Sequence, residues 1–150
     1  MKTEQLVGFR YTQAIVGFGG EATLWWMRFL KKGFYHCIVA LGYKNEWVII
    51  DPLIHFTDII VVKKGNVESF LHQHGYQTVK VDVKEPSTRR LRVMPYTCVE
   101  TAKRFIGVVN PFILTPYSLF CYLNKKIGKK SLTLIKNYAI VLSVGWEECI

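Results

Sequence analysis

Hydrophobic positions recur along this chain with two different periods. From Tyr35 to Leu41, and again from Trp47 to Ile50, they form β-branched and aromatic blocks parted by the polar Lys44-Asn45-Glu46. Two such blocks about a short polar turn predict a hairpin. Asp51 ends its second strand, and Pro52, having no N–H to give to a ladder, closes it. Tyr11 to Phe18 predicts a first strand, followed by a Gly19-Gly20 loop, and Ile59 to Val62 a further one. Between Tyr76 and Val83 the pattern alternates, with Gln77, Val79, Val81 and Val83 set against Tyr76, Thr78, Lys80 and Asp82. That is a half-buried strand with one apolar face.

Helical stretches surround these strands. Glu21 to Lys32 predicts a helix that Gly33 ends, rich in the large apolar side chains Trp25, Trp26, Phe29 and Leu30, with the two tryptophans as core packing rather than a substrate platform. A short helix is expected around Val67 to His74. Thr97 and Glu100 stand in the T-x-x-E relation of a capping box, so a helix should begin there and run to Gly107. Thr115-Pro116 opens another, Thr as cap and Pro in the first helical position, with Leu119, Phe120, Tyr122 and Leu123 inward. From about residue 125 the chain becomes a basic extension with Lys125, Lys126, Lys129, Lys130 and Lys136, then a strand-like run from Tyr138 to Trp146. At 150 residues, the pattern is that of one α+β domain with its strands in the middle.

Composition adds a core and a charge. Half the residues are hydrophobic, which excludes a disordered chain, and the net charge is +9. A basic balance of that size suits polyanions, whether nucleic acid, anionic lipid or an anionic wall polymer. Arg89, Arg90 and Arg92 cluster ahead of the Thr97 helix, while the lysines from 125 onward read chiefly as a solvated face and secondarily as a polyanion-binding patch. No charged leader with an apolar run and cleavage site opens the sequence, and no apolar stretch is long enough for a spanning helix. The four cysteines, Cys37, Cys98, Cys121 and Cys149, lack paired C-x-x-C spacing. Zinc and disulfide frameworks are therefore not expected, and a reducing cytoplasmic setting is.

Cys98 is the residue with the most chemical content. In the first helical turn its sulfur meets free N–H groups and the positive end of the helix dipole, which favour a thiolate. A nucleophilic cysteine also needs an imidazole and a group to orient it. His36 opens an apolar strand, where a polar ring calls for a reason. His72 and His74 fall at an exposed helix end, and His55 in a loop; His55 with Asp58 is too sparse for a metal site. Asp51, at the end of the paired strand, falls at the same open end of the hairpin as His36, within reach as a cross-strand or diagonal neighbour. Cys37 alternates with His36 and should face the opposite side, in the core, as should Cys121. Each member has a bland alternative: a buried structural thiol, a satisfied core histidine, a strand-ending aspartate.

The order His36, Asp51, Cys98 resembles the circularly permuted branch of the NlpC-type papain-like cysteine peptidases, which includes relatives of lecithin retinol acyltransferase. Leu24-Trp25-Trp26-Met27-Arg28-Phe29-Leu30 followed by Gly33-Phe34-Tyr35-His36-Cys37-Ile38-Val39 is similar to that family's helix, turn and His-bearing strand, with Tyr35 where Ser is common. Thr97-Cys98-Val99-Glu100 with Ala102-Lys103 resembles its Cys-bearing helix, and Leu114-Thr115-Pro116-Tyr117 with Leu119 a helix that follows. The resemblance spans roughly residues 20 to 125. It implies a papain-like fold, with a small antiparallel sheet packed on the Cys-bearing helix. It also implies a thiol hydrolase in which Cys98 attacks, His36 takes the proton, Asp51 fixes the ring and the Cys98 backbone N–H meets the oxyanion. No cofactor or metal is implied. Substrates of such proteins are peptides, cell-wall amides or acyl esters, and small phage- and bacterium-encoded members are frequent. The alternatives are an acyltransferase or phospholipase of the same fold, or an inactive binding module, associated with virions or nucleic acid, that uses its basic surface.

Overall fold

The structure is a computed structural model and describes residues 11, 13–43, 45–63, 65–83 and 97–135, with side chains of the last helix described to residue 128. Its centre is a five-stranded antiparallel sheet made of β1 (Gln13–Gly19), β2 (His36–Tyr43), β3 (Glu46–Pro52), β4 (Thr57–Lys63) and β5 (Gln77–Asp82), in the order β4-β3-β2-β1-β5. Three α-helices accompany it: α1 (Val67–Gln73), α2 (Cys98–Ile106) and α3 (Pro116–Ile135). The α+β expectation therefore holds, with helix on sheet as the layer arrangement.

Strand parity sorts the core into two layers. Val16, Phe18, Cys37, Val39, Leu41 and Val79 face α2 and α3, meeting Val99, Ala102, Ile106, Leu119 and Leu123. Ile15, Ile38, Ala40 and Ile49 face the other way, onto Val67 and Leu71 of α1. With both faces of β2 covered, its sequence reads as an unbroken apolar run rather than as an alternation.

The helix ends follow their capping chemistry. Thr97 Oγ1 accepts from the Glu100 N–H at 3.1 Å, and Gly107 closes α2 in the left-handed region at φ 69°. The Glu100 side chain is turned down the helix instead, to Lys103 Nζ at 2.8 Å and Arg104 Nε at 3.2 Å. Thr115 Oγ1 caps α3 by accepting from the Ser118 N–H.

Several expectations are corrected. Glu21 to Lys32 is not an α-helix; only a 3-10 helix at Trp25–Phe29 forms, between Leu24 and Leu30 in extended conformation. A short helix owes its stability to the face it buries, and here Met27 is the residue that is buried. Trp25 and Trp26 are accordingly exposed, not core; Phe29 is exposed as well, and Leu30 is half-buried. β4 is longer than expected, and Cys121 is half-buried. α3 runs unbroken through residue 125 to Ile135, so the lysines at 125 and 126 belong to a helix of the domain. The arginine cluster at 89–92, Lys136, Cys149 and the run from 138 to 146 lie outside the described residues, as do the side chains of Lys129 and Lys130. No helix among the described residues is long and apolar enough to cross a membrane.

Candidate active site

The three residues singled out in the sequence converge at one end of the sheet. β2 and β3 pair with Val39 opposite Ile50, which by continuation sets Ile38 opposite Asp51. His36 lies two residues before Ile38, so it is the diagonal neighbour of Asp51 on the same face. Its Nε2 donates to Asp51 Oδ1 at 2.6 Å in a half-buried setting. That leaves Nδ1 as the ring nitrogen not engaged by Asp51, and the Cys98 sulfur is near enough to the imidazole for each to shift the other's titration.

Cys98 stands at the first position of α2, and α2 packs across the β2 face that carries Cys37, Val39 and Leu41. Parity sends His36 to one face of β2 and Cys37 to the other. At the sheet's end the Cys98 sulfur takes hydrogen bonds from both. Cys37 is fully buried in the core, as expected, but its contact with Cys98 was not anticipated.

Electrostatics separate the two titrations widely. Hydrogen bonding from the Cys37 thiol, opposed by burial and reinforced by the hydrogen bond and charge of His36 and by the Cys37 backbone, brings the Cys98 thiol from 9.0 down to about 5. Burial would lower the His36 imidazolium, yet the hydrogen bonds to Asp51 and Cys98 and the charges of both raise it from 6.5 to about 9. Cys37 moves the opposite way from Cys98, pushed well up by its hydrogen bond to the Cys98 sulfur and by burial. At neutral pH the site therefore holds a thiolate beside an imidazolium, with Asp51 behind it.

Backbone geometry fixes the histidine from below. Gly19 pairs with His36, and its carbonyl accepts from the Tyr35 N–H at 3.1 Å. Gly20 adopts φ +83°, and a β-carbon there would lie 3.0 Å from the His36 Cβ. Gly20, which reads as plain loop in the sequence, is thus what leaves room for the His36 side chain.

Tyr76 is a neighbour that sequence reasoning missed. It stands opposite Gly19 by continuation of the β1–β5 register; its ring lies against the position where Gly19 lacks a side chain, and its β-carbon, with the Ile38 side chain, against Gly17. Burial raises its hydroxyl pKa, with help from the charges of Asp51 and Cys37. The signal was the Gly17-x-Gly19 alternation in β1, which opens a slot on the face shared with His36 and Asp51.

The remaining candidates lie elsewhere. His55 and Asp58 are exposed, and His72 and His74 are engaged by Thr78 and by the Phe70 carbonyl at 2.7 and 2.8 Å. No group of His, Cys, Asp and Glu able to hold a metal ion occurs among the described residues. A cleft of about 370 Å³ lined by Gln13, Trp47, Asn66, Glu68, Lys80 and Asp82 opens at the opposite end of the sheet. Comparison with known protein families, characterised proteins and solved structures gives no match for this chain.

Proposed function

We propose that the chain is a thiol hydrolase acting on an amide or ester through an acyl-enzyme. The observation that carries this reading is Cys98 at a helix N-terminus, hydrogen-bonded to an imidazole that Asp51 holds at 2.6 Å. The Cys98 thiolate adds to the substrate carbonyl. The His36 imidazolium then gives its proton to the leaving amine or alcohol as the C–N or C–O bond breaks, leaving a thioester. Neutral His36 next takes a proton from water, which attacks the thioester and releases the acid and the thiolate. Asp51 keeps the proton on Nε2, so that Nδ1 is the nitrogen that works. The Cys98 backbone N–H, unpaired within its helix, faces the developing oxyanion.

His on one strand, Asp on the next and Cys on a following helix is the chain order of the permuted NlpC-type papain-like peptidases, and we assign the fold to that class on this ground. A peptide, a wall amide and an acyl ester meet the same three side chains, so acyl transfer is the nearest alternative outcome.

Incubation with p-nitrophenyl acetate tests the reading. A burst of nitrophenol should accompany acetylation of the peptide bearing Cys98, found by mass spectrometry. Cys98→Ser should abolish the burst, and His36→Ala should slow it by about 10²–10⁴-fold. Acetylation spread evenly over Cys98, Cys121 and Cys149 would refute it.

A further inference from the structure

Two connections of the sheet carry large apolar side chains that the fold leaves uncovered. β1 ends at Gly19 opposite His36, so the connection 20–35 leaves and rejoins the sheet at the His36 end. β3 ends at Pro52 opposite Thr57, which brings the connection 53–56 to the same end. The strand order puts the two connections side by side. The first presents Trp25 at 71%, Trp26 at 44% and Phe29 at 78% exposure; the second presents Ile54 at 61% and Phe56 at 63%.

These side chains are held outward. Met27 is buried and anchors the 3-10 helix to the body. The Met27 N–H donates to the Leu24 carbonyl at 3.0 Å, the Leu30 N–H to the Met27 carbonyl at 2.9 Å, and Arg28 Nε to the Trp25 carbonyl at 2.8 Å. With the turn so fixed, Trp25 and Phe29 stack edge to face in solvent, their centroids 6.5 Å apart. Large apolar side chains left uncovered in this number at one end of a sheet mark an interaction site.

Charge selects the occupant. Arg28, Lys31 and Lys32 are exposed within the same connection, whose one acid is Glu21, and the 53–56 connection contains no acid. Exposed tryptophan and phenylalanine in a connection that also carries three exposed cations match the headgroup layer of an anionic bilayer: apolar edges enter it and the cations meet phosphate. We propose that this end of the molecule docks on an anionic lipid surface, with Trp25, Trp26, Phe29, Ile54 and Phe56 inserted and Arg28, Lys31 and Lys32 on the lipid phosphates. Docking does not depend on the chemistry of Cys98. If the thiol-hydrolase reading also holds, the site is presented to the bilayer.

Flotation of the full chain with vesicles of phosphatidylcholine, with and without roughly one-third phosphatidylserine, tests this. The protein should float with the serine-containing vesicles and much less with phosphatidylcholine alone, and its tryptophan emission should shift to the blue on binding. Combined Trp25→Ser and Phe29→Ser, both at solvent-facing positions, should weaken partitioning by about tenfold or more with far-UV circular dichroism unchanged. Cys98→Ser should bind like the parent chain, so failure of the enzymatic reading leaves this result standing. Absence of flotation at low salt overturns the proposal. So does binding that survives the double variant, which would indicate adsorption through other lysines. A lipid-free dimer in sedimentation that the double variant abolishes also overturns it, by assigning the surface to a second copy.

Discussion

Cys98 and His36 both depart from the neutral forms that prevail for a free thiol and a free imidazole in neutral water. With the thiol at about 5 and the imidazole at about 9, the pair is thiolate and imidazolium across the neutral range. Below about 5 the sulfur gains a proton and loses nucleophilicity; above about 9 the imidazole loses the proton that the leaving group needs. Alkylation by iodoacetamide should therefore rise with an apparent pKa near 5 and stay high at alkaline pH. Hydrolysis should instead give a bell with limbs near 5 and 9. An alkylation midpoint near 8.5, the value of a free thiol, would contradict the ion pair. Cys37 sharpens this picture, since its thiol is the leading influence that lowers Cys98. A hydrogen bond to a charged group contributes about 1.5–3 kcal/mol, so Cys37→Ala should raise the alkylation midpoint by about one to two pH units. Cys37→Ser, which keeps a donor, should restore most of the difference. Sequence made His36, Asp51 and Cys98 legible because strand order and a helix cap fix each position locally. It hid Cys37, whose role arises only where the sheet ends and side chains from both faces can reach one sulfur, and Tyr76, which fills the space beside Gly19.

At the scale of elements, α2 is held by more than its apolar face. Glu100 and Lys103 are buried, and Lys103 Nζ bonds both the Glu100 carboxylate and the Ile113 carbonyl, at 2.8 and 3.3 Å. The loop before α3 is thereby tied to the Cys98 helix. Burial alone would raise the Glu100 pKa, but Lys103 and Arg104 outweigh it and the group stays charged. Lys103→Met strands that carboxylate with Arg104 as its remaining partner. Removing one member of a buried pair costs about 3–5 kcal/mol, and the partly exposed Arg104 should keep the loss at the lower end of that range. The check is the urea midpoint, with the Glu100→Leu, Lys103→Met double variant expected to recover much of the loss. The capping-box spacing revealed where α2 begins, but not that Glu100 would serve Lys103 and Arg104. A similar limit explains the 21–32 segment: apolar content suggested a helix, whereas the number of side chains a neighbour can cover is a tertiary quantity. Only Met27 found cover there, and the rest of the segment stayed extended or exposed.

At the scale of the molecule, the two edges that the sheet has among the described residues are treated differently. β5 borders β1 and carries Lys80 and Asp82 along its solvent-exposed positions. Lys80 is engaged by Glu68 of α1 at 2.7 Å. β4, the other edge, is exposed at Ile59, Ile60 and Val61, with Asp58 and Lys63 only toward its ends. The sequence announced β4 as an apolar strand, yet an apolar strand is normally central. Its position at an edge among the described residues follows from the pairing order, which no local pattern encodes. An uncharged, unpaired edge is a template for edge-to-edge association, and natural sheets commonly place a lysine there to prevent it. Val61→Lys adds that charge at a side chain 59% exposed, so it should change folding stability by no more than about 0.5 kcal/mol. Light scattering on concentration or mild heating should fall markedly in this variant, with the alkylation rate of Cys98 unaltered. Equal scattering from both proteins would mean that association proceeds through another surface, the aromatic connections at the His36 end being the next to test with Trp25→Ser and Phe29→Ser.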